Sequence, residues 1–116
     1  MLRAIAIARG SLDPIILEAV DEGLLLFGTS VRSMIYFHVE KVWNVKREDI
    51  PAKLDRFHMA LQEIFKDLGS RVIEGMIAKE LHFRIGLRFQ YHNDWTIIEY
   101  VEDVKKRLRP VTAIRR

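Results

Sequence analysis

The sequence predicts a mainly α-helical fold, with about five helices in a compact bundle and short β-like segments at the two termini and at 87–91. Apolar residues recur at spacings of three and four along several stretches, as on the buried face of a helix. Residue types that begin or end helices separate those stretches. The chain has 116 residues, 49% hydrophobic and 30% charged, and no repeat or linker divides it. We therefore expect one globular helical domain over residues 1–116.

The first predicted helix follows the dipeptide Asp13-Pro14. Asp13 is expected to cap it, with Pro14 at the first helical position, and Gly28 is expected to end it. Gly23 lies inside this helix, where glycine costs about 1 kcal/mol relative to alanine. A helix neighbour that needs the space would explain a glycine at this position.

The second predicted helix begins at Ser30, a capping residue, and ends near Trp43 and Asn44. One stripe of residues is predicted to form its buried face: Val31, Met34, Ile35, His38 and Val42. The segment that follows, residues 45–51, is expected to be a connection.

The third and fourth predicted helices are separated by Gly69 and Ser70. Pro51 suits the first turn of the third helix, and Gly69 is expected to end it. Its predicted apolar stripe is Leu54, Phe57, Leu61, Ile64 and Leu68. Ser70 is expected to open the fourth helix and Gly86 to end it. The fourth buried face is predicted from Val72, Ile73, Met76, Ile77 and Leu81.

The fifth predicted helix is preceded by a short alternating segment. Residues 87–91 alternate apolar and polar side chains, which predicts a short strand. Asp94 is expected to cap the helix and Pro110 to end it, and the apolar stripe is Ile97, Val101, Val104 and Leu108. Residues 1–10 and 110–116 are short and β-friendly. We expect at least one of these ends to pair as a strand, with itself, with 87–91 or with another subunit.

Positive charge is concentrated at the C-terminal end. The net charge of the chain is +3, but residues 105–116 carry six cations and no acid, which leaves −3 on residues 1–104. The six are candidate contacts for phosphate or another anion: Lys105, Lys106, Arg107, Arg109, Arg115 and Arg116. Residues 109–116 are expected to form a basic tail that attracts nucleic acid or an acidic partner. A solvated helix end, stabilised by the helix dipole, explains the same pattern.

The residues that could carry chemistry form no recognisable catalytic pattern. The chain has no cysteine, no glycine-rich phosphate loop and no His-Glu-x-x-His motif. Its four histidines are scattered, and its paired carboxylates are sequence neighbours that diverge on a helix. A helix-turn-helix reading of residues 61–81 is unsupported, because the outward face is expected to carry a mixed set, Arg71, Glu74 and Lys79. We predict no catalytic residue, no metal ligand and no cofactor, and therefore no enzyme.

Aromatic residues are more numerous than the helix stripes alone require. Exposed aromatics are typical of partner surfaces and of small-ligand pockets. The candidate partner or ligand surface consists of five residues, Tyr36, His38, Trp43, Tyr91 and Trp95. A thick core between the second and fifth helices would account for the same residues, with His38 as a satisfied core histidine.

A set of packing and capping residues resembles a known family. It comprises residues 17–24, Gly28, Ser30, Val31, residues 35–40, Ile50, Pro51, Phe57, Ile64, Phe65 and Gly69. Together they resemble the archaeal Nitrosopumilus output domain family over roughly residues 15–100. The resemblance implies a small helical domain, often attached to signalling or regulatory modules, without established catalytic activity. It implies no catalytic residues that could be assigned to this chain.

Three functions from different classes remain open. The leading hypothesis is a non-enzymatic regulatory, signalling-output or protein-interaction domain that forms a homodimer. The second is a nucleic-acid-binding protein that uses the basic C-terminal segment on the phosphate backbone. The third is a small-ligand or metal sensor around His38 and the aromatic residues.

The expected setting of the protein is the cytoplasm of a thermophilic archaeon. The start has no signal-peptide pattern, and no apolar run reaches the roughly 18 residues of a membrane span. We therefore expect no membrane partner. Arginine outnumbers lysine 12 to 7 and cysteine is absent, a composition that leans towards a thermophile.

Overall fold

The computed structural model describes residues 11–108, and helices make up 79% of them. In order they are α1 (Asp13–Leu25), α2 (Thr29–Trp43), a 3-10 helix (Arg47–Ala52), α3 (Leu54–Ile85) and α4 (Ile97–Arg107). The prediction of a mainly helical, compact bundle is confirmed. α3 is bent at Lys66, so residues 54–65 and 67–85 are two helices joined end to end. We call them the first and second halves of α3.

The predicted strand at 87–91 is wrong, and the described part of the chain contains no strand. Its alternating pattern is real but has another cause. Leu87 and Phe89 are half-buried against the helices, whereas Arg88 and Gln90 are exposed. The segment joins α3 to α4, and the carbonyl of Arg88 accepts a hydrogen bond from the Arg107 side chain instead of from a neighbouring strand. The strands predicted for the two termini lie outside the described residues.

α1 runs antiparallel to the second half of α3. Glu18 of α1 pairs with Arg84 near the end of α3, at 3.4 Å. Gly23, which follows Glu18 on α1, lies against Ile77, which precedes Arg84 on α3. A Cβ atom on Gly23 would lie only 2.7 Å from Cγ1 of Ile77 and 3.0 Å from its Cα. The predicted reason for this glycine, a close helix neighbour, is thereby confirmed.

The break in α3 differs from the one predicted at Gly69 and Ser70. Lys66 has φ 63° and ψ −174°, and the helix resumes directly after it. The bend brings Phe65 so close that a Cβ on Gly69 would lie 2.8 Å from the Phe65 Cβ, so glycine here permits the bend and does not end the helix. Ser70 is buried inside the second half, and its hydroxyl donates to the carbonyl of Asp67 at 3.2 Å.

Two predicted helix caps are also replaced by neighbouring residues. Gly28, with φ 102°, directly precedes α2, and Ser30 lies inside the helix without a capping hydrogen bond. Thr96 caps α4 in place of Asp94. The Thr96 side chain accepts a hydrogen bond from the N–H of Ile98, and the Glu99 side chain accepts one from the N–H of Thr96. These reciprocal hydrogen bonds form a capping box, and Asp94 lies too far before the helix to take part in it.

The first turns of α1 and α3 are shifted slightly from prediction. Asp13 is itself the first residue of α1, so Pro14 is the second helical residue and not, as predicted, the first. The N–H of Asp13 donates to the Ser11 hydroxyl at 3.0 Å. Pro51 belongs to the 3-10 helix that precedes α3. Asn44 ends α2 in the left-handed conformation, with φ 56°.

Most residues of the predicted apolar stripes are buried or half-buried, but three of the stripes extend further in the prediction than in the structure. Five predicted residues of α3 are buried: Phe57, Leu61, Ile73, Ile77 and Leu81. Four others are exposed instead: Met34, Val42, Leu68 and Val72. The bend at Lys66 separates Leu68 from the stripe of the first half. On α2 only one edge, with Ile35 and Val39, is buried.

Candidate functional site

A polar cleft lies where the end of α3, the 86–96 loop and the second half of α4 meet. Its volume is about 320 Å³, at the lower end of the range for small-molecule sites. Eight side chains line it: His82, Arg88, Gln90, His92, Trp95, Tyr100, Asp103 and Arg107. We call this space the His82 cleft.

His82 lies at the bottom of the cleft and is 2% exposed. Its Nδ1 lies 2.6 Å from the carbonyl of Ala78, so Nδ1–H donates to that oxygen. Nε2 lies 2.8 Å from Nη2 of Arg107 and therefore accepts a hydrogen bond. Burial lowers the pKa of the imidazole, and the nearby Arg107 charge lowers it further. The ring is neutral near pH 7, with both nitrogens engaged.

Arg107 is held at the cleft by three groups. Besides the contact with His82, Nη2 forms an ion pair with Asp103 at 2.9 Å, and Nη1 donates to the Arg88 carbonyl at 3.2 Å. The side chain of Arg88 is exposed beside it, and no carboxylate of residues 11–108 pairs with that side chain. Among the side chains that line the cleft, two guanidinium groups therefore face one carboxylate.

Aromatic rings form one wall of the cleft. The imidazole of His92 stacks on the indole of Trp95, with ring centroids 3.7 Å apart and planes at 13°. Tyr100 meets the indole edge-on at 5.2 Å, and its hydroxyl accepts from the His92 N–H and donates to the His92 carbonyl. These contacts hold the 92–95 turn on α4.

The structure divides the predicted aromatic surface into two places. Trp95 lines the His82 cleft, and Tyr91 lies close by, against Gly75, where a Cβ would be 3.2 Å from its ring. Tyr36, His38 and Trp43 lie elsewhere, on α2.

Tyr36 connects α2 to α1. Its hydroxyl donates to Asp21 of α1, which also pairs with Arg47 of the 3-10 helix. Burial raises the pKa of Tyr36 and the Asp21 carboxylate raises it further. Burial opposes ionisation of Asp21, but the hydrogen bonds from Arg47 and Tyr36 outweigh it and lower the pKa of Asp21. This cluster connects α1, α2 and the 3-10 helix.

His38 and Trp43 converge on one carboxylate at an open groove. Oε1 of Glu63 lies 2.8 Å from Nε2 of His38 and 2.9 Å from Nε1 of Trp43. These hydrogen bonds lower the pKa of Glu63. The groove is lined by Trp43, Met59, Gln62, Glu63, Lys66, Asp67 and Leu68. The sensor expected around His38 would use this groove, and that function stays a prediction.

The second half of α3 carries a buried carboxylate, Glu74, that the sequence predicted to lie on the surface. Glu74 is 1% exposed. Its Oε1 accepts from the N–H of Ile97 at 2.7 Å, and its Oε2 lies 2.7 Å from Nδ1 of His58. Burial raises the pKa of Glu74, and the two hydrogen bonds oppose that rise. The expected outward face of Arg71, Glu74 and Lys79 is therefore wrong at Glu74, because its partners come from distant parts of the chain.

The solvent side of the second half of α3 is largely apolar. Leu68 and Phe83 are each 82% exposed, Val72 is 54% exposed, and Met76 is half-buried. At 3.6 residues per turn, these four side chains lie within about 80° of one another around the helix. Lys79 lies in the same sector. We call this surface the α3 face, defined by Leu68, Val72, Met76 and Phe83.

The basic C-terminal candidates are only partly described by the structure. Lys105, Lys106 and Arg107 are all exposed on α4, and Arg107 also lines the His82 cleft. Arg109, Arg115 and Arg116 lie outside the described residues. Within residues 11–108, no group of three or more histidine or acidic side chains could hold a metal ion.

Comparisons with known proteins return nothing for this chain: no family model, no curated protein and no solved structure matches it. The resemblance to the archaeal output domain family therefore stays a prediction. Among residues 11–108, no helix combines the length and the apolar character needed to cross a membrane.

Proposed function

We propose that the chain is a non-enzymatic regulatory and protein-interaction domain that forms a homodimer through the α3 face. The observation that carries the proposal is the exposure of Leu68 and Phe83 at opposite ends of one helix face. The setting proposed for the protein is the one expected from its sequence, the cytoplasm of a thermophilic archaeon.

The α3 face favours a covering partner because water solvates it poorly. A solvated helix face carries mainly charged and polar residues, whereas here Lys79 stands among four large apolar side chains. Burying a side chain such as Leu, Val, Phe or Met contributes about 1.5–3 kcal/mol relative to full exposure. The long stem of Lys79 can lie along an apolar contact while its ammonium group reaches water.

A second copy of the chain fits the arrangement of this face. Leu68 and Phe83 lie 15 positions apart, about 22 Å along the helix axis at 1.5 Å per residue. In an antiparallel pair that sets Leu68 of one copy opposite Phe83 of the other, Val72 lies opposite Lys79 and the two Met76 side chains meet near the centre. Such self-complementary contact about a two-fold axis is the commonest form of oligomer.

The test is the molar mass in solution, measured by light scattering and by sedimentation equilibrium. We expect the wild-type chain to have twice the mass of one chain and Phe83→Glu to have the mass of a single chain, because Phe83 is 82% exposed on the α3 face. Phe37→Glu is the matched control, because Phe37 is 65% exposed on α2, away from the α3 face. A wild-type chain that stays monomeric over the whole concentration range, or equal masses for both variants, would contradict the proposal.

Nucleic-acid binding through the basic end is a second proposal, favoured by the exposure of Lys105 and Lys106. Fluorescence anisotropy with labelled DNA and RNA tests it, at low and at physiological salt, because phosphate contacts weaken as salt rises. Binding that persists at physiological salt and is lost in K105E/K106E supports it. Binding that disappears at physiological salt, or that the double variant retains, rejects it.

A further inference from the structure

The His82 cleft contains groups that the proposed homodimer does not use. None of its eight lining residues belongs to the α3 face. The cleft combines a buried imidazole, two guanidinium groups and a wall of aromatic rings, and contacts among these groups hold them in place. Side chains on an ordinary solvated surface are not ordered in this way. The question is which chemical class of ligand suits this combination.

The charges of the cleft favour an anion. Arg88 and Arg107 both line it, and Asp103 is the one carboxylate among the lining side chains. Asp103 is already paired with Arg107. Arg88 has no such partner among residues 11–108, so its planar guanidinium is available for the paired oxygens of a carboxylate or phosphate.

Neutral His82 helps to fix the orientation of the second guanidinium group, that of Arg107. Because its Nδ1–H is committed to the Ala78 carbonyl, Nε2 presents a lone pair to Arg107. The contacts with His82, Asp103 and the Arg88 carbonyl hold the Arg107 guanidinium in one orientation at the cleft. A group held in place before binding loses less conformational freedom when the ligand arrives.

The aromatic wall favours a planar group beside the anion. His92, Trp95 and Tyr100 contact one another and line the same cleft. Aromatic side chains prefer stacked or edge-to-face contact with another ring. At about 320 Å³ the cleft suits a ligand of roughly one ring and one anionic group.

We propose that the His82 cleft binds a small aromatic oxyanion, with its carboxylate or phosphate group at Arg88 and Arg107 and its ring against His92 and Trp95. The carboxylate and the phosphate share this chemistry. The proposal stands independently of the homodimer, because it rests on different residues.

The test is titration of the full chain with three probes, followed by calorimetry and by amide NMR shifts. Phenyl phosphate carries a ring and a phosphate, benzoate a ring and a carboxylate, and inorganic phosphate no ring. We expect at least one aromatic probe to bind and to shift the amides of residues 82–107. Whichever aromatic probe binds more tightly identifies the anionic group. Failure of both aromatic probes, or equally tight binding of inorganic phosphate, would overturn the proposal.

A matched pair of arginine variants separates the cleft from general attraction to positive charge. Arg88→Gln should weaken binding about tenfold or more, the loss expected for one charge-assisted contact. Arg56→Gln should leave binding unchanged, because Arg56 is exposed on the first half of α3 and does not line the cleft. The Arg88 side chain makes no ion pair within residues 11–108, so the variant should fold, which circular dichroism checks. Equal affinity in the two variants would overturn the assignment.

Discussion

His58 and Glu74 join the two halves of α3 across its bend, with Nδ1 of the imidazole 2.7 Å from Oε2 of the carboxylate. The same carboxylate accepts the N–H of Ile97 at the start of α4. One buried side chain therefore connects both halves of the bent helix and the first turn of the last helix. The bend and the position of α4, which forms part of the His82 cleft, depend on a common contact.

Replacing Glu74 with alanine should destabilise the fold strongly. The variant would leave the buried N–H of Ile97 and the ring of His58 without their acceptor, and the expected loss is about 2–4 kcal/mol in the free energy of unfolding. Urea unfolding at neutral pH measures it. Glu40→Ala, an exposed acidic position on α2, is the control and should change stability by less than about 0.5 kcal/mol. Similar losses in both variants would contradict the role of Glu74.

Acidification should destabilise the protein through His82. Burial holds the pKa of the folded-state imidazole below its ordinary value of 6.5. Between those two pKa values the unfolded chain binds more protons, so stability rises with pH and is lost as pH falls below 6.5. The effect is at most about 1.4 kcal/mol for each pH unit.

Urea unfolding of wild type and His82→Gln at pH 7.5 and at pH 5.5 isolates this contribution. The wild type should lose more stability than the variant over that interval, since the variant has no imidazole at this position. All other side chains are the same in the two proteins, so the comparison isolates position 82. Identical pH dependence in the two proteins would show that His82 does not contribute.

Glycine at position 66 should stabilise the bend. Lys66 has φ 63° and ψ −174°, a backbone conformation used almost only by glycine, and a side chain there costs about 1–3 kcal/mol. Glycine removes that cost, but it also stabilises the unfolded chain by about 0.5–1 kcal/mol through greater conformational freedom. Lys66→Gly should therefore raise the free energy of unfolding by about 1 kcal/mol.

Lys66→Ala is the matched control for this prediction. Alanine keeps the Cβ atom that makes the conformation unfavourable and removes the same long side chain. Its stability in chemical unfolding should stay close to that of wild type. If the alanine variant gained as much as the glycine variant, loss of the lysine side chain would be the cause and the backbone argument would fail.

Alanine at position 23 should weaken the contact between α1 and α3. Alanine favours a helix over glycine by about 1 kcal/mol, but its Cβ would meet both the side chain and the backbone of Ile77. Overpacking of this kind costs about 1–3 kcal/mol, so Gly23→Ala should lower the thermal midpoint. Glu22→Ala, at the neighbouring position of α1, is the control and should change it little. An unchanged or raised midpoint for Gly23→Ala would refute the close approach.

The positions of the helices follow from local sequence, which is why most of them could be predicted. Phe57, Leu61, Ile73, Ile77 and Leu81 recur with helical periodicity and are buried as expected. This pattern depends only on 3.6 residues per turn. The predicted helix in which Ile97, Val101 and Val104 are buried is present as well. Alternation at 87–91 was a weaker guide, since a loop packed against helices buries alternate residues as a strand does.

Which residues meet could be decided only by the tertiary structure. Periodicity assigns Leu68 and Val72 to apolar stripes but cannot show that they lie on the solvent side after the bend at Lys66. Trp95 and Arg107 were both singled out from the sequence, for different functions. Their convergence on one cleft with His82 depends on how α4 packs.

Glu74 shows the physical reason most directly. From sequence alone it is a charged residue on a mixed face, and burial of an unpaired carboxylate would be too costly. Its burial becomes favourable because His58 and the Ile97 N–H, 16 and 23 positions away, satisfy both of its oxygens. Local sequence therefore determined which segments are helical, and packing between distant segments decided which polar groups are buried and which apolar side chains face solvent.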